Sequence, residues 1–210
     1  MARAFGVILN NLRSCENVGS ILRTAEFFGF RNVWFVGVTP YPSFAKASEG
    51  GPSLDETPPG EKSLPSQGRD EYPSPQPPQQ VRGRLSPKGE VDTRLPHVRD
   101  KMDRKIGKVS LGAEKNLSLA HFSTLAELIT KLKSEGWKVV ALEQAPGSVK
   151  LSEFKPDADK VVLVLGTERT GLSSGDLSLV DKIIEIPRVG EKESLNVSVA
   201  FGVAAAGMRF

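Results

Sequence analysis

Apolar positions along the chain alternate between two rhythms. Ala4 to Leu9 and Asn32 to Val38 are short β-rich runs, while between them Val18, Ile21, Leu22, Ala25 and Phe28 recur at helical spacing and stop at Gly29. Leu117 to Phe122 predicts a weak strand. Thr124 is placed to cap a helix carrying Leu125, Leu128, Ile129 and Leu132, ended by Gly136, and Trp137 to Leu142 predicts a buried strand. Val161 to Leu165 and Ile183 to Ile186 read as central strands, and Asn196 to Gly207 as a helix of small residues able to approach a neighbour closely. Strands alternating with helices predict an α/β fold with a mostly parallel sheet covered by helices on both faces.

One stretch breaks the pattern. Of 15 prolines, 12 lie from Pro40 to Pro96, mixed with Gly, Ser, Gln and Glu. A single domain over residues 1–210 with a partly disordered insertion at about 43–104 is therefore expected. The half from Phe44 to Gln80 is acidic. The half from Val81 to Lys108 carries Arg82, Arg84, Lys88, Arg94, Arg99, Lys101, Arg104, Lys105 and Lys108 against four acids. Both a solvated linker and a basic arm on RNA phosphates fit that run.

A net charge of +3 permits a nucleic-acid partner without demanding one. Cys15 is the lone cysteine, so no intrachain disulfide forms, and no cysteine or histidine cluster has metal-ligand spacing. The N-terminus has neither a cleavage site nor an apolar stretch long enough for a signal or a span. No metal, no membrane and a cytoplasmic setting are expected.

In an open α/β sheet, ligands gather beyond the carboxyl ends of strands. Three loops there supply Gly, Pro or Ser: Glu143 to Ser148, Gly166 to Gly171, and Pro187 to Asn196. Gly166 to Gly171 has the glycine spacing of a phosphate-binding loop, but Leu172 stands where its lysine belongs. Glu168 would repel a triphosphate, and no GxGxxG follows a strand, so a guest with a cationic centre suits the loop better than ATP or a dinucleotide. Asn17 stands at the cap position of the first helix. Arg23 falls roughly 150° from the centre of that helix's apolar face and so points to solvent or to a ligand. Gly19 on the same side leaves room beside it for a phosphate or sugar. Ser194 and Asn196 sit at a strand-to-helix junction, as caps or as members of a site shared with Glu168.

Three segments together resemble the SpoU or TrmH branch of the SPOUT methyltransferases, which methylate the ribose 2′-hydroxyl of RNA. They are Asn11 to Ala25, holding Asn17, Gly19 and Arg23; Leu163 to Leu172, holding Gly166, Glu168 and Gly171; and Ile186 to Ala200, holding Gly190, Ser194 and Asn196, all in family order. The likeness also reaches Gly37 to Pro40 and Lys108 to Glu114. It implies a C-terminal deep trefoil knot and S-adenosylmethionine as cofactor. It further implies a homodimer with its active site at the subunit contact, and tRNA, otherwise rRNA, as substrate.

By the same resemblance Asn17, Arg23, Glu168, Ser194 and Asn196 are the catalytic set. Leu142, Glu143, Gly166, Thr167, Gly171, Ile186, Leu195 and Asn196 hold the cofactor, and Arg13, Arg23, Lys105, Lys108 and Arg188 meet RNA. Arg188 departs from the family by standing where an apolar residue is usual, and no separate RNA-binding domain is expected. The competing readings are a knotted RNA-binding protein without catalysis, against which the complete polar set speaks, and a Rossmann enzyme, whose glycine fingerprint is missing.

Overall fold

A computed structural model describes residues 3–43, 45–47 and 96–210. Eight strands form one sheet in the order β3-β4-β2-β1-β7-β5-β8-β6. They are β1 (Ala4–Asn10), β2 (Phe30–Val36), β3 (Lys46–Ala47), β4 (Ser118–Phe122), β5 (Lys138–Leu142), β6 (Val149–Lys150), β7 (Lys160–Leu165) and β8 (Lys182–Glu185). Every ladder between them is parallel.

Register explains the unbroken apolar runs. Val33, Val7, Leu163 and Val140 lie side by side across β2, β1, β7 and β5, and residues one step along each strand face the other way. The first face is covered by α1 (Cys15–Phe28), α2 (Pro96–Ser110) and α5 (Val197–Arg209), through Ile21, Leu22, Ile106, Phe201 and Ala205. The second is covered by α3 (Leu125–Ser134) and the short α4 (Ser174–Leu177), through Leu128, Leu132 and Leu177. Central strands buried on both faces have no polar side to show, which is why β7 reads Val-Val-Leu-Val-Leu after its first residue. β8, one place in from the sheet's edge, is only partly buried despite its apolar pair Ile183-Ile184.

Three expectations change. The cap of α1 is Ser14, whose hydroxyl accepts the Asn17 N–H at 3.1 Å; Asn17 lies within the first turn, its side chain free for other work. Residues 96–104, read from composition as the end of the insertion, open helix α2; residues 48–95, with Arg82, Arg84, Lys88 and Arg94, lie outside the described residues. The space beside Gly19 is filled by this helix, because a Cβ there would stand 2.8 Å from both the Ile106 carbonyl oxygen and the Val109 Cβ.

Gly19 thus sets the closeness of α1 and α2. Gly19→Ala gains about 1 kcal/mol of helix propensity but must push the backbone of α2 aside, at a cost of about 1–3 kcal/mol. Net destabilisation in urea unfolding is expected; a more stable G19A protein would show that α2 is not seated there.

Candidate active site

Beyond the carboxyl ends of β5, β7 and β8 lies a cavity of about 350 Å³, inside the range of small-molecule sites. Its apolar wall comes from Leu142, Leu165, Ile186, Leu195, Val197 and Ala200, and its polar wall from the turn Gly166 to Gly171 with Glu143, Gln144, Glu193 and Ser194.

The turn after β7 is held by its own short bonds. Thr167 and Gly171 exchange backbone hydrogen bonds at 3.1 Å each, and the hydroxyls of Thr167 and Thr170 lie 2.7 Å apart. Gly171 has φ +63°, and a side chain there would run into the Glu143 carboxylate; one at Gly166 would run into the Gly171 carbonyl. Glu143 spans two loops, accepting the Leu172 N–H at 2.8 Å and the Gln144 N–H at 3.0 Å. Gln144 donates to the Ile186 carbonyl at 3.3 Å, so the three strand-end loops are stitched to one another.

Glu168 ties this cup to the first helix. Its carboxylate accepts the backbone N–H groups of Arg13 and Ser14 at 3.2 and 3.1 Å and the Asn17 amide at 3.2 Å. The Asn17 carbonyl in turn accepts the Asn196 amide at 3.0 Å, while the Asn196 oxygen caps α5 by accepting Ser198 N–H at 2.9 Å and Val199 N–H at 3.4 Å. Residues more than 150 positions apart thereby share one network. Partial burial opposes the charge on Glu168. The N–H groups of Ser14, of Glu168 itself and of Arg13, with the Asn17 amide, outweigh it and hold the carboxyl below its ordinary range.

Of the residues expected from the sequence, Leu142, Glu143, Gly166, Thr167, Gly171, Ile186 and Leu195 line the cavity, as do Glu168 and Ser194. Asn17 and Asn196 do not line it; they are bonded to each other, and Asn17 joins the pair to Glu168. Arg23 is exposed on α1 and Arg188 on the loop after β8, and neither lines the cavity; Arg13 adjoins it through its backbone, and Lys105 and Lys108 are exposed on α2. The expected strand-end loops also bring Gln144, Arg169, Thr170 and Glu193 to the cavity, though none is singled out by the sequence, and Leu165, Val197 and Ala200 were missed altogether. Of the last three, Ala200 carries a signal, a small residue one helical turn beyond Asn196 where a ligand can come close.

The cavity wall bears three carboxylates, Glu143, Glu168 and Glu193, against the single guanidinium of Arg169. That balance favours a guest with a positive centre, and the apolar wall favours a flat ring beside it. Among the described residues no cluster of His, Cys, Asp and Glu is arranged for a metal ion, and no helix is long and apolar enough to cross a membrane.

With its folded pKa depressed, Glu168 stabilises the fold fully above the unfolded glutamate pKa and loses that contribution as pH falls through the lower folded value. Asp181, bonded to Val139 N–H and Lys133, behaves in the same sense. Urea unfolding of wild type and Glu168→Gln from pH 7 to 3 should therefore show a steady gap down to the ordinary glutamate range, about pH 4.3, and a narrowing gap below it. A constant gap between them across that window would contradict the clamp.

Comparison with known proteins agrees with this geometry. A tRNA (guanosine(18)-2′-O)-methyltransferase of Borreliella burgdorferi is 34% identical over 95 residues, 45% of this chain and 43% of that protein. A 23S rRNA (guanosine-2′-O-)-methyltransferase of Ralstonia nicotianae is 32% identical over 108 residues, 48% of this chain and 42% of that protein. The chain thus spans less than half the length of these curated relatives. An AdoMet-bound rRNA methyltransferase from Sinorhizobium meliloti shares the fold with a TM-score of 0.65 at 19% identity, over 99% of this chain and 56% of that one. Residues 90–206, which contain the turn after β7, the loop after β8 and the Asn196 cap, match the model of the SpoU rRNA Methylase family, and the chain belongs to that family.

Proposed function

We propose that this protein transfers a methyl group from S-adenosylmethionine to a ribose 2′-hydroxyl of RNA, with tRNA the first candidate substrate and rRNA the second. The observation that carries the reading is the cup of three strand-end loops, clamped by Glu168 to the arginine-bearing helix α1. Relatives named for 2′-O-methylation of tRNA and 23S rRNA support the substrate class. The acidic rim and apolar wall fit the cofactor: Leu142, Gly166, Ile186 and Leu195 would flank its adenine, and the carboxylates would face its charge. When bound, S-adenosylmethionine supplies an electrophilic methyl on a sulfonium.

The chain's own residues supply orientation and charge. A sugar hydroxyl is a weak nucleophile, so it must be aligned with the methyl and its developing oxyanion stabilised. A guanidinium keeps its proton, and Arg23 is therefore assigned to grip the adjacent phosphate and stabilise the alkoxide. Glu168, Asn17 and Asn196 hold the cup's walls in register, and Ser194 lies on the wall within reach of a nucleotide. Arg13 and Arg188, exposed at the rim, suit contacts to the RNA backbone. This complete set speaks against a protein that only binds RNA.

Because Arg23 does not line the cavity of its own chain, the reading requires a second copy. Phe27, 78% exposed, follows Arg23 by one helical turn on α1, and Val199 and Val203, about half exposed, lie on the neighbouring α5. The two helices meet where a Cβ on Gly202 would stand 3.9 Å from the Thr24 methyl. A homodimer across this apolar face would cover it and bring each Arg23 toward the partner's cup. The chain's path from β8 through residues 187–196, across the ends of the neighbouring strands to α5 on the α1 side, supports a threaded trefoil knot. A cytoplasmic setting accompanies the RNA substrate.

Incubation with labelled cofactor and transcripts of tRNA and rRNA fragments, followed by ribose-methylation mapping, tests the reading; label on a base, or on neither RNA, refutes it. Arg23→Ala should slow transfer about 10²- to 10³-fold while calorimetry shows cofactor binding nearly unchanged; equal loss of both would refute the division of labour. Phe27→Glu should convert a dimer to monomers in sedimentation and abolish transfer together with it, and a fully active monomer would remove the need for the second copy.

A further inference from the structure

The structure assigns α2 as a rigid cationic rail for the RNA backbone, leading to the rim of the cup. The inference rests on the proposed RNA substrate and adds the surface that grips it. Lys101, Arg104, Lys105 and Lys108 follow the i, i+3, i+4, i+7 spacing of one helical stripe, and all four are exposed. The opposite stripe, Met102, Ile106, Val109 and Ser110, faces inward, with Ile106 and Ser110 buried. The four cations therefore hold most of the outward face of the helix, with the exposed Asp100, one turn before Arg104, the acid that shares it. From Lys101 to Lys108 the stripe runs ~10 Å, about three steps of a nucleic-acid strand at 3.4 Å each.

A solvated linker would not be built this way. Near its N-terminal end α2 is fastened to the sheet: Arg99 donates to the Tyr41 hydroxyl at 2.8 Å, and Tyr41 stacks on His121 with ring centroids 4.4 Å apart. Asp103 accepts the Ser43 N–H at 2.9 Å. At the other end α2 is seated against Gly19, and Ser110 hydrogen-bonds Glu114. Charges held in a fixed row lose less side-chain and backbone freedom on meeting a phosphate chain than charges on a loose arm. The rail also points to the site. Lys105 lies 3.9 Å from Glu16, Glu16 accepts the Ser14 hydroxyl at 3.0 Å, and Ser14 N–H is bonded to Glu168 at the cup.

The measurement is the salt dependence of binding between the full chain and an unmodified tRNA transcript, with calorimetry of S-adenosylmethionine in parallel. Replacing all four with Gln should lower affinity and flatten the slope of log K against log salt by about 0.7 per removed contact on a single strand, while cofactor binding stays as in wild type. Lys101→Gln and Lys108→Gln alone, at the two ends, should each take about one such step, and Lys131→Gln on α3 none. Glu16→Gln, which frees Lys105, should tighten binding. An unchanged slope in the fourfold variant, or preference for phosphatidylserine vesicles over RNA, overturns the rail. If wild type binds cofactor but no RNA, the rail falls together with the RNA substrate. If the fourfold variant loses RNA while wild type binds RNA and transfers no methyl group, the rail stands and the transferase reading falls.

Discussion

The site depends on one carboxylate holding the start of a helix. The N–H groups just before and within the first turn of α1 have no carbonyl partner of their own, and Glu168 accepts two of them together with the Asn17 amide. A negative charge at a helix N-terminus is favourable on its own account, through the backbone dipoles that converge there. Because Glu168 belongs to the turn after β7, this contact positions α1 relative to the cup. Through Asn17 it also fixes Asn196, and with it the first turn of α5. Three pieces of chain that come together only in the folded state are therefore oriented by a single side chain.

Glu143 does for the cup what Glu168 does for its surroundings. Its carboxylate accepts N–H groups from two loops, and Gly171 has no side chain because that carboxylate takes the space a Cβ would need. The glycines of the turn are thus explained by backbone meeting backbone and backbone meeting carboxylate, before any ligand enters. Two of the cavity's three acidic residues, Glu143 and Glu168, have their carboxylates engaged by N–H donors, which is how acidic groups are held in a partly buried wall.

The sheet was legible because central parallel strands are apolar on both faces, and runs such as Val161 to Leu165 have few other uses. The cup was legible because strand-end loops with Gly and Ser stand out against such runs. Local capping was less so. Asn17 and Ser14 are both good caps three residues apart, and only the contact of Asn17 with Glu168, 151 positions away, decides which one caps. Gly19 was read as room for a ligand because a sequence shows that a side chain is missing but not which element takes the space. The start of α2 escaped notice because its mean hydropathy is low and it follows a proline-rich stretch. From Arg99 onward Ile106 is its one buried apolar side chain, and Arg99 and Asp103, which composition counts as solvent-facing charge, hold it to the loop after β2.

Helix α1 gathers these features because each part of its surface meets something different. Val18, Ile21, Leu22 and Ala25 are fully buried against the sheet; Asn17 turns to Glu168 and Asn196; Gly19 receives α2; and Arg23 and Phe27 are left outward. A helix fixed on three sides cannot swing its fourth side inward to its own cup without breaking a buried contact or the Glu168 clamp. The geometry that makes the cup rigid is therefore the same geometry that keeps Arg23 out of it. Under the proposed transferase reading, a guanidinium has to reach the cup from another copy of the chain, so the rigidity of the monomer is what ties that reading to a proposed pairing of two subunits.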